Sequence, residues 1–345
     1  MKRAIALVTL VSLIAVAVVA GRAHAAPART QSTLVGAGAT FPFPLISKWI
    51  PEIGKAYGID ITYSPIGSGG GIAAITARTV DFGASDAPLS SDQLAACKVC
   101  VVIPWALSAV SIPYNLPGVG CVVRLTGQVL AGIYLGDITN WNDAKIKASN
   151  STCNLPDLKI TPVYRSDNSG TSFAFTTYLS AVNGTWDSKL GAGVNAQWPA
   201  GIGAKGSSGV AGVVTKTPGA LTYVDVAYAL TNKLRFAWVR NRSGSFESPG
   251  LRGIKAAADV LPKKITGFAQ LKLVDPPKSA GGLAYPISTF TYVIAPTSTS
   301  KAGDLRKFIY WAVTQGQAFG PKLLFQPLPN QVKAYDYREI KKIQS

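Results

Sequence analysis

Histidine is almost missing from this 345-residue chain: its one copy, His24, lies at the end of an N-terminal apolar leader. Once the leader is removed no imidazole is left, which excludes Ser-His-Asp triads, His-ligated zinc and histidine acid/base chemistry. Acidic residues are also scarce, 17 against 34 Lys and Arg. The net charge of +17 falls only to +14 when Lys2, Arg3 and Arg22 leave with the leader. Such a field attracts anions and acidic surfaces. It does not mark a nucleic-acid binder, because the basic residues are scattered, pair only briefly as at Lys263-Lys264 and Lys341-Lys342, and accompany no nucleic-acid motif. Internal repeats, long low-complexity linkers and the GxGxxG dinucleotide spacing are absent too.

The leader itself has a recognisable grammar. Lys2 and Arg3 precede an apolar run from Ala4 to Ala20, which ends in Ala23-His24-Ala25. This is the pattern of a secretory signal cleaved after Ala25. The rival, an uncleaved anchor, suits it less well, since the run is short for a membrane span. No Cys follows closely, so a bacterial lipoprotein anchor has no attachment point. The four cysteines, Cys97, Cys100, Cys121 and Cys153, all lie in the exported part, where an oxidising compartment permits three complete pairings. The expected one joins Cys97 to Cys100 and Cys121 to Cys153. The Cys97-Lys98-Val99-Cys100 spacing also resembles a redox or zinc half-site, but neither a second CxxC nor a histidine supports that reading.

With 48% hydrophobic residues the chain can bury a large core, and its periodicities alternate between strand and helix. Leu34–Ala37 reads as a strand. Ile46, Trp49, Ile50, Ile53 and Tyr57 fit one helical face, with Pro51 expected to kink or shorten that helix. Ile59, Ile61 and Tyr63 alternate as a strand, Gly67–Gly71 reads as a turn, Ile72–Thr79 as a helix and the region near Asp81–Ala84 as a strand. The same order returns in a strand at Lys159–Tyr164, a polar turn at Arg165–Gly170 and a helix at Thr171–Val182. Leu221–Val224 is a further strand and Asp304–Thr314 a further helix. Val110–Tyr114 and Phe290–Ala295 are apolar stretches suited to strands that cross between two lobes.

Four short segments combine small residues with hydroxyl or charged groups at expected strand ends: Gly36–Phe41, Gly67–Gly71, Ala84–Pro88 and Arg165–Thr171. Open α/β sheets bind ligands at that edge. Glycines let backbone N–H groups approach an anion, and a following helix N-terminus presents unpaired donors. Thr40, Ser68, Ser169 and Thr171 add hydroxyl donors, though each also suits plain helix capping. Arg165 can hold a tetrahedral oxyanion through its donor fork while Asp167 orients it. Asp86 sharpens the choice of anion. An ionised carboxylate only accepts, so it repels a fully deprotonated anion and welcomes one that keeps a proton. Phosphate near neutral pH keeps one and sulfate does not.

The runs Gly36–Pro42, Ile66–Gly71, Thr79–Leu89 (TVDFGASDAPL), Ile133–Gly136 (IYLG), Arg165–Phe173 and Pro218–Val224 together resemble the periplasmic phosphate-binding proteins of phosphate-specific ABC transporters, the PstS family. The resemblance spans nearly all of the chain beyond the leader. It implies an α/β, two-lobed type II periplasmic-binding-protein fold with a hinge of two crossing strands. The lobes would be 26–110 plus 290–345, and 111–289, behind a signal peptide at 1–25. It further implies phosphate held between the lobes. Thr40 and Phe41 would offer backbone N–H groups, Thr40 its hydroxyl and Ser68 both kinds of donor. Asp86 would accept the phosphate proton and Arg165 pair with the anion. Asp167 would steady Arg165, and Ser169, Gly170 and Thr171 would complete the donor cluster. Asn168 stands where the family often has Gly, and a left-handed turn there is compatible with Asn. The partners implied are inorganic phosphate and the membrane permease subunits of the importer. No cofactor, metal or nucleic acid is expected, and the protein is expected to be a soluble monomer outside the cytoplasm. Two rival functions are a secreted phosphatase using Ser169 or Thr171, for which no activating base is present, and a surface phosphate-sensing module with no transport role.

Overall fold

The computed structural model describes residues 32–345, so the expected leader at 1–25 lies outside the described residues. The strands in chain order are β1 (Ser32–Gly38), β2 (Ile59–Ser64), β3 (Phe82–Ser85), β4 (Cys100–Ser111), β5 (Pro113–Tyr114), β6 (Arg124–Leu125) and β7 (Thr161–Arg165). They continue with β8 (Ile202–Ala204), β9 (Ala220–Thr222), β10 (Val224–Asp225), β11 (Arg235–Phe236), β12 (Trp238–Arg240), β13 (Phe246–Glu247) and β14 (Ser288–Pro296). Among the described residues they build a six-stranded sheet, β10-β4-β14-β3-β1-β2, a five-stranded sheet, β11-β5-β9-β7-β8, and a small sheet of β13, β12 and β6.

The burial of each strand follows its position. β2 lies at one edge of the larger sheet and alternates strictly, with Ile59, Ile61 and Tyr63 inward and Asp60, Thr62 and Ser64 outward. β4 and β14 lie inside the sheet and are apolar on both faces; every residue of β14 is buried. They pair antiparallel, and the register shifts between Thr291 and Tyr292, where Tyr292 meets Pro104. A bulge is where a proline can enter an interior strand without breaking a regular ladder.

The chain passes from the six-stranded to the five-stranded sheet at Ile112, between β4 and β5, and returns at Tyr223, between β9 and β10. Val110–Tyr114 therefore runs from one sheet into the other. Phe290–Ala295 forms part of β14, the antiparallel partner of β4.

Two expectations need correcting in part. Of the two outcomes expected at Pro51, shortening does not occur: the helix runs from Phe43 to Tyr57 and stops at Gly58 in a left-handed conformation. Ser47, whose carbonyl loses its usual donor to Pro51, is exposed, so water can take the donor's place. Likewise Gly67–Gly71 is not a turn before a helix at Ile72. The helix begins at Ser68 and ends at Thr76, so most of the glycine run is its first turn. Both expected disulfides form, Cys97–Cys100 and Cys121–Cys153, with Cα atoms 5.9 and 5.8 Å apart. Among the described residues no helix is long and apolar enough to cross a membrane.

Candidate functional site

The four segments singled out in the sequence meet where the ends of β1, β3 and β7 face one another. Thr40 and Phe41 follow β1, Ser68 opens the helix Ser68–Thr76, and Asp86 follows β3. Arg165 ends β7, and Ser169 N-caps the helix Gly170–Val182, its Oγ accepting from Ser172 N at 3.2 Å. Thr40, Ser68, Asp86, Arg165, Ser169 and Thr171 are all buried, so these polar groups depend on one another for hydrogen bonds. Phe41 contributes its ring to the core, edge-on to Phe325, rather than to the polar cluster.

Hydrogen bonds tie the two larger sheets together here. Ser68 Oγ accepts from Asp86 N and from Gly170 N, each at 3.1 Å. Thr171 Oγ1 donates to Asp86 Oδ2 at 3.2 Å. Gly69 N donates to the carbonyl of Asn168 at 3.0 Å. The approach is close enough to require glycine: a Cβ on Gly170 would lie 2.6 Å from Ser68 Oγ and 2.7 Å from Ala87 N. Gly67 has a φ of 90°, and a Cβ there would lie 2.5 Å from Asp167 Oδ2. The left-handed turn considered for Asn168 does not occur, since its φ is not positive. The carbonyl of Asn168 reaches Gly69 from an ordinary backbone conformation.

Arg165 has side-chain exposure of 1% and forms a forked pair with Asp167: Nε to Oδ1 at 2.7 Å and Nη2 to Oδ2 at 2.5 Å. Gly206 N donates to Asp167 Oδ1 at 3.0 Å. Burial alone would raise the Asp167 carboxyl, but the bonds and charge of Arg165, aided by Gly206, hold it below its ordinary value. Asp86 shows the opposite balance. Burial pushes its carboxyl up to about 7 against the pull of Arg165 and the hydroxyls of Thr291 and Thr171. Its second oxygen, Oδ1, is buried and has no hydrogen-bond partner among the described residues. A buried acceptor left unpaired costs stability unless something donates to it, so Asp86 Oδ1 has capacity for a ligand proton, as does Asp225 Oδ2 nearby.

Sequence reasoning missed three members of the cluster. Ser207 lies at the start of the helix Gly206–Lys216, fully buried, with Oγ 2.8 Å from Thr40 Oγ1. Its signal was available: Gly206-Ser207-Ser208-Gly209 follows β8 just as the other glycine-rich segments follow their strands. Tyr223 lay inside a quoted run without a role. Its hydroxyl accepts from Arg165 N at 3.0 Å and pairs with Ser172 Oγ at 2.7 Å, while its ring stacks on Phe175. Asp225 caps the short helix Val226–Thr231 through Tyr228 N, and burial pushes its carboxyl well up. A cavity of about 500 Å³ lined by Leu89, Phe173, Phe268, Leu271 and Tyr292 also touches Asp86. It flanks the cluster, because none of Thr40, Ser68 or Arg165 borders it.

Two α/β sheets with strand ends and helix N-termini converging on a buried arginine define the class: a two-lobed, type II periplasmic binding protein, and residues 23–315 match the model of the PBP superfamily domain. Within that class the chain belongs to the PstS family of phosphate-binding proteins. It is 40% identical over 325 residues to the phosphate-binding protein PstS of Xylella fastidiosa, covering 91% of this chain and 87% of that protein. Its identity to the Pasteurella multocida PstS is 36% over 308 residues, covering 87% of each. The phosphate-binding protein from Stenotrophomonas maltophilia, 21% identical, shares the fold with a TM-score of 0.69 over 89% of this chain and 94% of that one.

Proposed function

We propose that this chain captures inorganic phosphate between two lobes, without turning it over, and delivers it to the permease subunits of a phosphate ABC importer. The observation that carries the reading is Asp86 Oδ1, a buried acceptor with no hydrogen-bond partner among the described residues, in a cluster that also holds the buried Arg165. Arg165 attracts an oxyanion, and Asp86 requires one proton to be present between itself and that oxyanion. Hydrogen-bearing phosphate meets both conditions; sulfate meets only the first. Thr40, Phe41, Ser68, Ser169, Gly170 and Thr171 supply the surrounding donors, and Asp167 orients Arg165. The relatives' shared designation as phosphate-binding proteins supports the same ligand.

In this reading one lobe comprises 26–110 plus 290–345 and the other 111–289, and closure brings their half-sites together around the anion. The protein works outside the cytoplasmic membrane after its leader is removed. Calorimetry on phosphate-stripped protein tests the ligand. Well above pH 7, where Asp86 is ionised, phosphate should bind, with sulfate weaker by roughly a hundredfold, the worth of one unmatched proton partner. Equal affinities would overturn the role of Asp86. Sustained release from a chromogenic phosphate ester would refute binding without turnover. Delivery is tested by phosphate accumulation at low external concentration in cells lacking the protein; unchanged uptake would leave it a sensing module.

A further inference from the structure

We propose that the Cys97–Cys100 disulfide is a thiol–disulfide exchange site, where an external dithiol is oxidised and Arg78 stabilises the cysteine sulfurs that leave as thiolates. The spacing of the two cysteines gave no support for redox chemistry by itself, and Arg78 supplies it. The Arg78 Nη1 lies 3.2 Å from Cys100 Sγ and 3.8 Å from Cys97 Sγ, and its Nη2 donates to the Cys97 carbonyl at 2.9 Å. No carboxylate pairs with Arg78 among the described residues. A disulfide is neutral and its sulfurs accept weakly, so it is a poor counterpart for a guanidinium, whereas a thiolate is a strong one. The cation is placed for the reduced form.

The surroundings let a reagent in and give the cation something to offset. Lys98 and Val99 are exposed, Cys100 is half-buried and Cys97 is buried. Cys97 follows the last residue of the helix Ser91–Ala96, at the carbonyl end, where negative charge is disfavoured. Without Arg78 its sulfur would be a poor leaving group.

An external thiolate attacks Cys100 Sγ, the more accessible sulfur. The Cys97–Cys100 bond breaks, its electron pair passes to Cys97 Sγ, and a mixed disulfide forms on Cys100. The second thiolate of the dithiol then attacks its own sulfur in that mixed disulfide, releasing Cys100 as a thiolate and the reductant as a disulfide. Two electrons pass to the protein, and the two protons of the dithiol go to solvent or to the freed sulfurs. The second disulfide is a control within the same molecule: among the described residues no cation donates to a sulfur of Cys121–Cys153, and Arg235 bonds the carbonyls of Val119, Gly120 and Cys121 instead. Opening it also costs the fold more, because it closes 32 residues rather than 3.

Equilibration of the full chain with graded ratios of reduced to oxidised dithiothreitol, followed by acid quenching, alkylation and mass spectrometry of the four cysteines, tests this. Cys97 and Cys100 should become reduced together at a ratio roughly tenfold lower than Cys121 and Cys153 require. Arg78→Met should move the Cys97–Cys100 midpoint up by roughly fivefold, the worth of one exposed charge contact, and slow its opening, while Arg78→Lys restores most of both. In the parent, 1 M salt should move the midpoint in the same direction as Arg78→Met, a readout that needs no variant to fold. A Cys97–Cys100 midpoint at or above that of the second disulfide would overturn the proposal. So would a midpoint indifferent to both Arg78→Met and salt, since a structural contact alone would alter melting without moving the redox equilibrium of this pair.

Discussion

The Arg165 guanidinium is forked onto Asp167 through Nε and Nη2, which leaves Nη1 turned toward Ser207 Oγ. A buried arginine needs this partner, since an unpaired charge out of water costs several kcal/mol. The pair is neutral overall, and beside it the raised Asp86 carboxyl sits near its own titration point at neutral pH.

Replacing Asp167 with Asn should therefore weaken phosphate and destabilise the fold together, with a loss of about 2–4 kcal/mol in urea unfolding. The sign of the pH dependence follows from the lowered Asp167 value. The pair's contribution is present above the ordinary carboxylate value of about 3.9 and is lost only as pH falls through the lowered one. Unfolding of the parent and Asp167→Asn at pH 7 and at pH 2 to 3 should show their difference shrinking in acid. A difference independent of pH would contradict it.

Asp86→Asn should change which anion binds more than how tightly the protein folds. The parent's Asp86 accepts a proton as pH falls through about 7, so its sulfate affinity should rise between pH 8 and pH 5. Asn cannot titrate, and its sulfate affinity should be flat over that range. Calorimetric titrations with sulfate at the two pH values decide this, and parallel profiles for the two proteins would count against it.

Gly170→Ala tests closure separately from ligand chemistry. The added Cβ would press on Ser68 Oγ, Ala87 N and the Asp86 Cβ. Separating the two sheets relieves that overlap without unfolding either one. Phosphate affinity should fall by roughly a hundredfold, in line with overpacking costs of about 1–3 kcal/mol, while the melting temperature of the phosphate-free protein stays near the parent's. Solution X-ray scattering should show no contraction on adding phosphate at a concentration that contracts the parent.

The two disulfides should differ in worth because they close very different loops. Cys97 and Cys100 are 3 residues apart, Cys121 and Cys153 are 32 apart. Chain-entropy arguments assign about 2 kcal/mol to the short loop and about 4 kcal/mol to the long one. Paired Cys→Ser variants compared by urea unfolding should rank in that order; the reverse ranking would place the stabilisation in the folded state instead.

Much of this molecule could be read locally. The alternation of Ile59, Ile61 and Tyr63 needs only the two-residue period of a strand facing a core. The helix carrying Leu305, Phe308 and Ile309 needs only its own spacing. Errors arose where a local rule met its surroundings. Pro51 continues a helix because the carbonyl it orphans belongs to an exposed residue, and Ser68–Gly71 form a helix's first turn in which the backbone of Gly38, Ala37 and Ala84 leaves no room for a side chain at Gly71. Ser207 went unnoticed because a glycine-serine turn is common, and its meaning depends on a residue 167 positions away.

The sequence by itself determined the kinds of chemistry available: no histidine after His24, hydroxyls and glycines at strand ends, one arginine with a carboxylate two residues on, and Asp86 as a candidate acceptor. Those are properties of residue type and short spacing. Only the tertiary structure decided that Thr171 meets Asp86, that Gly170 meets Ser68 and that Ser207 meets Thr40, contacts spanning 85, 102 and 167 residues. Burial at that meeting point lifts Asp86 and leaves its Oδ1 without a hydrogen-bond partner among the described residues. Desolvation and hydrogen-bond saturation depend on what surrounds a group in space, and for these residues the surroundings come from distant parts of the chain.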